Sequence, residues 1–555
     1  MQTSNPKVST LIDCAFLFAA ILISAMPYVG GLGFYADDWD YLGILTHDSG
    51  RGFVAQFRGL AHEEPAMIIR PVHPLYFIGC FRAFGLHPLP YHILNAVFIS
   101  LAVVFLYLVF REFLKERWPA FCIALVFGVV PHYSSDRFWF TGQIVNFSVI
   151  FLFLGTWLVF RSFEANHPKR NLVFGIAFLV LSVLSYEITL GWIVVLMGWI
   201  AFRAFAKVRR NQSTLKSLGY IATVLLPFAA VGAWKIFRQS RISRHHHFWS
   251  NLGLHTTNAI QEAFRFNFWS FGAKMPSLLI ALHRGSALTW CGLVVSVLVG
   301  VAVPIYLGYS MDPGDLPSRR KCLSLMVLGI LIFGLGFVLF FPNARETLEF
   351  TTAGLDNRVA MASAPGAACI LVAFAGLISS CFKWPSWRLR TFGVLIGFIF
   401  TANCLVVDGI AHYWVDAASK QRQILQSLAR DVPSLPSGSV LLLDGFCRYS
   451  GPGFVFETDG DATGAVRIAF GDASLRSDVV SPDLHFERSA VTTTYYGAPE
   501  ERYSYADDLF IYNARSRTLR TLRSFEDARS YLRIENSAAD RGCPIARDGN
   551  GVTIF

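Results

Sequence analysis

Long apolar runs, many of them close to the length of a membrane span, are the feature that most limits what this chain can fold into. A helix needs about 20 apolar residues to cross the hydrocarbon core of a bilayer, and about eleven runs meet or approach that length. The runs are 9–29, 90–110, 119–131, 142–161, 172–186, 187–203, 217–237, 288–309, 322–341, 359–381 and 391–410. We therefore predict a polytopic α-helical membrane protein.

Composition agrees with a membrane protein and argues against both a soluble enzyme and a nucleic-acid-binding protein. Of the 555 residues, 54% are hydrophobic and only 15% are charged, which rules out an ordinary soluble enzyme of several domains. The net charge of +10 could indicate a nucleic-acid partner. The Lys and Arg residues, however, lie in short clusters between apolar runs, where they are better explained as signals of membrane orientation. We predict no nucleic-acid partner.

The basic connections between runs predict a topology. By the positive-inside rule they face the cytoplasm. They are "REFLKERW" (111–118), "RSFEANHPKR" (161–170), "RAFAKVRRNQSTLK" (203–216), "DPGDLPSRRK" (312–321) and "FKWPSWRLR" (382–390). All five share one side only if the segment 70–85 does not cross. That segment is short and is interrupted by Pro71, Pro74 and Arg82, so we predict that it is interfacial or re-entrant.

This topology places residues 30–89 and everything after about 411 on the non-cytoplasmic side. The first run could be a signal peptide, but its length favours an uncleaved anchor. Most of the unusual polar residues then share one face, as an active site opening to the periplasm requires. They include Asp37, Asp38, Glu63, Glu64, Arg70, His73, Asp136, Arg137, Glu187, Lys235, His245, His246, His247, Arg345, Glu346, Glu349, Asp356 and Arg358. Glu187 lies between two apolar runs with almost no loop to solvate it, at a cost of roughly 2.5 to 3.5 kcal/mol if it sits deep.

The composition changes after residue 411, and we predict two parts: a transmembrane module over 1–410 and a periplasmic α/β domain over 411–555. An amphipathic helix over 412–432 begins the domain. Four short runs bounded by turn residues are strand candidates. They are "SVLLLDGF" (439–446), "AVRIAFGD" (465–472), "DLFIYNA" (508–514) and "GVTIF" (551–555). If Cys447 and Cys543 pair, this part of the chain faces an oxidising compartment.

The stretch "GFYADDWDYLG" (33–43) sets Asp37 beside Asp38 just after the first apolar run, and "RPVHPLYF" follows from Arg70. A carboxylate near the membrane interface can act as a general base, particularly if a neighbouring carboxylate raises its pKa. An Arg guanidinium stays charged and binds phosphate oxygens at two points. In an extended loop the two Asp side chains point to different sides, so one can face a substrate while the other bonds structure or a metal.

One anchor, a long loop with "ADDWD", an interfacial segment opening with Arg-Pro, many spans and a C-terminal periplasmic domain together resemble the GT-C superfamily of integral membrane glycosyltransferases. The "DDW…RP" arrangement is most similar to bacterial enzymes that decorate surface polysaccharides. The resemblance implies transfer of a sugar from a polyprenyl-phosphate sugar to a glycan or glycolipid acceptor, in the bacterial inner membrane and on its periplasmic face. It also implies that Asp37 or Asp38 is the catalytic base.

Candidate binding residues follow from the same reading. Four cations lie near the predicted outer boundary of the membrane, where a lipid-linked phosphate resides: Arg70, Arg137, Lys235 and Arg358. The candidate substrate-binding residues are His73, Glu187 and Trp39. The sequence does not decide whether a divalent cation such as Mg²⁺ or Mn²⁺ takes part.

Other interpretations stay open. "ADDWD" could be a solvated loop with Trp39 and Tyr41 in an aromatic belt, and the four cations could bind lipid headgroups. "RHHHFW" (244–249) is better explained by a lipid-headgroup or acceptor surface than by a metal site. A polysaccharide ligase or polymerase would use the same donor, with 238–287 as its large basic loop. A secondary transporter would also bury Glu187, although the chain lacks the internal repeats typical of transporters.

Overall fold

The computed structural model describes most of the chain. The described residues are 6–48, 50–163, 168–208, 214–242, 257, 260–261, 264–284, 287–337, 355–494 and 501–534. Several sequence predictions fall outside these residues. They concern His245, His246, His247, Arg345, Glu346, Glu349, Cys543 and the strand candidate 551–555; the side chain of Asp356 also lies outside the described part.

Helices dominate the first 431 residues. They are α1 (Pro6–Val29), α2 (Asp37–His47), α3 (Phe53–Glu63), α4 (Ala66–Ile69), α5 (Val72–Phe84), α6 (Pro88–Leu114), α7 (Arg117–Phe127), α8 (Ser135–Phe138), α9 (Gln143–Ser162), α10 (Pro168–Ser185), α11 (Leu190–Val208), α12 (Thr214–Ile242), α13 (Met275–Arg284), α14 (Trp290–Ser310), α15 (Arg319–Phe337), α16 (Ala364–Ser379) and α17 (Pro385–Asp431). Short 3₁₀ segments at Glu187–Thr189 and Leu355–Ala362 and a π-helical segment at Arg265–Ala273 connect some of them.

The chain is a helical membrane protein. Among the described residues, 6 helices are long and apolar enough to cross a bilayer: α1, α6, α9, α14, α15 and α17. Helices α7 and α16 are apolar but shorter. Large apolar side chains on α14 and α15 face outward, including Leu298 at 65% and Leu331 at 65% exposure, which water would not favour and lipid does. The count of about eleven spans stays a prediction.

Residues 30–89 form four short helices, α2 to α5. Helix α5, which begins two residues after Arg70, has 13 residues. At 1.5 Å per residue it is about 20 Å long, too short for the hydrocarbon core. This length is compatible with an interfacial or re-entrant segment, and the prediction that 70–85 does not cross stays a prediction.

A buried carboxylate ties α1 into the bundle. Asp13 is fully buried, and Arg117 donates two hydrogen bonds of 2.7 Å to its oxygens. The hydroxyls of Tyr107 on α6 and Tyr306 on α14 each donate to it over 2.5 Å. A charge paired and hydrogen-bonded in this way is stable inside a bundle. Helix α1 is thus packed as an integral member of the bundle.

Helix α17 runs without interruption for 47 residues from the bundle into the C-terminal region. The predicted boundary at 410/411 is therefore in the middle of a helix, and the last apolar run and the predicted amphipathic helix 412–432 are one element. Gly393, Gly397 and Gly409 lie inside the helix without ending it, and its buried face continues across the boundary through Ile410 and Trp414. Continuous burial on one face stabilises one long helix.

The C-terminal part has nine short strands and two helices among its described residues. They are β1 (Val440–Asp444), β2 (Tyr449–Ser450), β3 (Gly453–Phe454), α18 (Asp459–Phe470), β4 (Arg476–Val479), β5 (Leu484–Phe486), β6 (Ala490–Thr493), β7 (Glu501–Ser504), β8 (Leu509–Asn513), β9 (Thr518–Thr521) and α19 (Phe525–Ile534). The main sheet has the order β4-β1-β8-β9, parallel except for β9. A second, antiparallel sheet contains β5, β6 and β7.

Two of the strand predictions are confirmed and one is wrong. The runs 439–446 and 508–514 contain β1 and β8. The run 465–472 instead forms the second half of α18. Thr458 and Asp461 form a reciprocal capping box at its start, and Gly471 ends it in the left-handed conformation at φ 66°. These two caps stabilise a helix and override the strand propensity of "AVRIAF".

Candidate functional site

Residues from five separate parts of the chain line one cavity of about 170 Å³. They come from α2, from the turn between α3 and α5, from the segment before α9, and from the connections that precede α11 and α16. The lining residues are Asp37, Tyr41, Glu64, Ala66, Met67, Arg70, His73, Trp139, Thr141, Gly142, Ile144, Val145, Tyr186 and Arg358. Four of the residues predicted from the sequence thus share one cavity: Asp37, Arg70, His73 and Arg358.

Asp37 is the first residue of α2 and opens onto the cavity. The preceding residue, Ala36, has φ 47° and ψ −127°, a strained conformation for a residue with a Cβ atom. The neighbouring Tyr35 holds this turn: its hydroxyl donates to the Trp414 carbonyl over 2.7 Å, and the indole of Trp139 donates to its carbonyl over 3.0 Å. The acidic pair therefore begins a helix rather than lying in the predicted extended loop.

Asp38 faces the other way and is fully buried. Its Oδ1 accepts hydrogen bonds of 2.7 Å from both the amide and the hydroxyl of Thr141, and its Oδ2 accepts from the amides of Tyr35 at 3.0 Å and Phe140 at 3.3 Å. Asp38 does not line the cavity. Its carboxylate instead joins the start of α2 to the segment before α9, so the two adjacent Asp residues are in different environments.

The environment of Asp37 suits a base that titrates near neutrality. Its side chain is exposed on the cavity side, and the protein packed around the cavity desolvates the carboxylate and raises its pKa to about 6. The positive charge of Arg358 lowers the pKa, while the carboxylates of Glu64 and Glu457 raise it. Like charges contribute, as expected: besides these two residues, the adjacent carboxylates repel each other, and the charge of Asp37 raises the pKa of Asp38.

Arg70 belongs to a partly buried ion-pair triad. Its Nε donates to Glu187 over 2.9 Å, and the Nζ of Lys235 lies 2.5 Å from the other oxygen of that carboxylate. The guanidinium of Arg70 also stacks on Tyr186 at 4.2 Å from the ring centroid. Burial raises the pKa of Glu187, but the two cations outweigh it and lower the pKa below its usual value. Glu187 is therefore a charged partner that holds Arg70 at the cavity, and Lys235 reaches the site only through it.

Arg358 reaches the cavity from the segment before α16. Its guanidinium lies 5.0 Å from the ring centroid of Trp139. It also stabilises the charged form of Asp136, which is fully buried and has neither oxygen hydrogen-bonded within the described structure. Burial raises the pKa of Asp136 well above its usual value, and Arg358 and Arg137 oppose this rise.

His73 contributes a neutral polar group. It is 5% exposed, packs edge-on against Phe77 at 5.2 Å, and its Nε2 has no hydrogen-bond partner among the described residues. Burial, and next the charge of Arg70, lowers the pKa of His73 to about 3. A neutral imidazole with an unused nitrogen in a cavity wall is suited to a hydrogen bond with an uncharged ligand group.

Two predicted site residues lie elsewhere. Arg137 is buried behind the cavity, where it donates to the carbonyl of Gly128 over 2.8 Å. Trp39 lies on the far side of α2, with its ring 5.8 Å from that of Phe34 and 6.3 Å from that of Phe456. Neither residue lines the cavity. Both serve the framework around the site.

Sequence reasoning missed several residues of this site. Tyr186 stacks on Arg70, Thr141 lines the cavity and binds Asp38, and Glu457 acts on Asp37 from the C-terminal domain. None of them belongs to a motif, and only the tertiary structure brings them to the acidic pair.

The described residues contain no group of three or more His, Cys, Asp or Glu side chains that could hold a metal ion. No family model, curated protein or solved structure matches the chain. The functional argument therefore rests on the geometry of the cavity and on its charged groups.

Proposed function

We propose that this protein is a membrane glycosyltransferase of the GT-C type, which transfers a sugar from a polyprenyl-phosphate sugar to a hydroxyl of a glycan or glycolipid. One observation carries the proposal: a carboxylate with a pKa of about 6, Asp37, shares a cavity with two guanidinium groups, Arg70 and Arg358. A base and cationic groups for a leaving phosphate are what this transfer needs.

In the proposed reaction, the acceptor hydroxyl attacks the anomeric carbon of the donor sugar. Asp37 takes the hydroxyl proton as the new C–O bond forms. The bond between the anomeric carbon and the phosphate oxygen breaks, and its electron pair leaves with the polyprenyl phosphate. Arg70 and Arg358 stabilise the negative charge of that phosphate. Asp38 holds the start of α2 through four hydrogen bonds, so it is a positioning residue in this scheme.

A lipid-linked donor fits the location of the cavity. The segment 30–89, which carries Asp37 and Arg70, consists of helices too short to span and adjoins a bundle with lipid-facing helices. We place the protein in the bacterial inner membrane, where its acceptor can be a glycan or glycolipid of the cell envelope. Cys447 forms a disulfide bond, which favours the periplasmic side for the C-terminal domain. Because α18 of this domain contacts α2, the cavity opens on that side as well.

Release of polyprenyl phosphate tests the proposal without knowledge of the acceptor. Purified protein in lipid nanodiscs is mixed with polyprenyl-phosphate hexoses and pentoses, each with a membrane extract as acceptor source, and the released polyprenyl phosphate is quantified. We expect turnover with at least one donor in the wild type and a loss of about 100-fold or more in Asp37→Asn. If no donor is consumed and polyprenyl phosphate shows no saturable binding, the proposal is wrong.

A further inference from the structure

Helix α18 of the C-terminal domain lies directly against α2, the helix that begins with Asp37. The two helices cross at a pair of glycines. A Cβ atom on Gly43 would lie 2.9 Å from the Cα atom of Gly464. A Cβ atom on Gly464 would collide with the carbonyl of Trp39 and would lie 2.7 Å from the amide of Asp40. The backbones of the two helices are therefore in contact one turn after Asp37, and no larger residue fits without moving α2.

The same domain also holds the residues before α2. The ring of Tyr35 packs edge-on against Trp414 of α17 at 4.8 Å, and its hydroxyl binds the Trp414 carbonyl. Further along α17, Gln421 donates to the carbonyl of Val455 over 2.6 Å, so the segment that leads into α18 is fixed to α17. Helices α17 and α18 thus hold α2 from both sides of Asp37.

The segment before α18 places charge near the acidic pair. Glu457 is 4% exposed, accepts a hydrogen bond from Tyr449, and its amide is bound by Asp461 over 2.7 Å. Its carboxylate raises the pKa of Asp37. The charged groups that interact with Asp37 therefore come from four elements: Asp38 and Asp40 on α2 itself, Glu64 after α3, Arg358 before α16, and Glu457 before α18.

We propose that the C-terminal domain is part of the catalytic machinery, in which Gly464 and Glu457 are positioning residues that set the place and the charge environment of Asp37. The proposal rests on the proposed function for its meaning in catalysis. The dependence of Asp37 on α18 can be measured even if the proposed function is wrong.

Two variants address the two contributions. Gly464→Ala adds one methyl group at the crossing and displaces α2. Glu457→Gln keeps the shape and the acceptor for Tyr449 but removes the charge. Gly460→Ala on the same helix is the matched control, because its added Cβ would meet only the Thr458 hydroxyl, at 3.6 Å.

The first readout is the modification of Asp37 by a hydrophobic carbodiimide, which reacts with protonated carboxyl groups, followed by mass spectrometry across a pH series. The midpoint should lie near pH 6 in the wild type and in Gly460→Ala. In Glu457→Gln it should move to lower pH, because removal of a like charge favours the carboxylate. In Gly464→Ala the midpoint or the rate should change, while the thermal midpoint shows that the protein is folded. Unchanged midpoints and rates in both variants would overturn the proposal.

The second readout is donor turnover. In Gly464→Ala we expect kcat to fall on the order of 100-fold with little change in KM, as for a displaced catalytic group. In Glu457→Gln the acid limb of the kcat profile should move to lower pH, whereas a merely structural role would lower activity at every pH alike. If carbodiimide modification responds as expected and no donor turns over in the wild type, the positioning role holds and the proposed function fails.

Discussion

The Nε atom of Arg70 donates a hydrogen bond of 2.9 Å to Glu187, which lies 117 residues later in the chain. Lys235 binds the other oxygen of the same carboxylate. Glu187 thus pairs with two cations at the edge of the cavity. Its position between two apolar runs, which seemed costly from the sequence, is explained by these two partners.

Glu187→Gln should lower stability, because two cations would then lie together without a counter-charge. We expect a loss of about 2 kcal/mol, less than for a fully buried pair, since 26% of the Arg70 and Glu187 side chains is exposed. Thermal unfolding in detergent measures the change. The control is Glu63→Gln, whose side chain is 60% exposed. Equal thermal midpoints for the two variants would contradict the importance of the triad.

Asp37→Asn should abolish catalysis and preserve the fold. The amide keeps the size of the carboxylate but cannot take a proton, so transfer should fall by about 100- to 10,000-fold. Asp40→Asn, one turn later on the same helix and not in the cavity wall, is the matched control and should retain most of its activity. Near-normal transfer by Asp37→Asn would exclude it as the base.

Asp38→Asn should act on stability rather than on chemistry. One of the two carboxylate oxygens becomes an NH₂ group, which cannot accept from the amides or hydroxyl now bound to it. At least one buried donor then loses its acceptor, at a cost of about 2 kcal/mol. We expect a lower thermal midpoint, with activity per folded molecule reduced less than in Asp37→Asn. A stable but wholly inactive Asp38→Asn protein would instead assign a chemical role to Asp38.

Arg358→Lys should weaken the binding of polyprenyl phosphate. An ammonium group cannot reproduce the two-point contact of a guanidinium with phosphate, and we expect a loss of about 10-fold in affinity. Arg161→Lys is the matched control, because Arg161 also stacks on a tryptophan, Trp157, at 5.9 Å, but lies away from the cavity. Titration of polyprenyl phosphate into each purified protein measures the difference. Equal affinities would favour lipid headgroups as the partner of Arg358, and Arg70→Lys would then be tested in the same way.

The pH dependence of transfer should follow Asp37. Its pKa is raised to about 6, so the carboxylate form required of a base predominates above that pH and is lost as the pH falls through it. Arg358 lowers this pKa. Arg358→Gln should therefore move the acid limb of kcat, measured at saturating donor, to higher pH. If the acid limb of the wild-type kcat profile instead had its midpoint near pH 4, a group other than Asp37 would be titrating.

The apolar runs determined the class of the protein and the position of its helices. Each of the eleven runs overlaps a helix among the described residues, because a membrane span needs a length of apolar sequence that is visible without any tertiary information. The prediction that 70–85 does not cross rests on its length and its prolines, which are local properties as well, and its helix α5 has 13 residues. The strand prediction for 465–472 was wrong because a capping box at Thr458, outside the run, and the C-cap Gly471, within it, stabilise a helix and outweigh the strand propensity.

The sequence also determined which residues are unusual enough to serve in a site: the adjacent Asp37 and Asp38, Arg70, His73, Glu187 and Arg358. Only the tertiary structure decided what each one does. Asp38 faces the protein interior because Thr141 and Tyr35 donate hydrogen bonds to its carboxylate. Asp37 faces the cavity instead. Carboxylate environments, ion-pair partners and helix crossings depend on residues hundreds of positions apart, and no local pattern records which of them will meet.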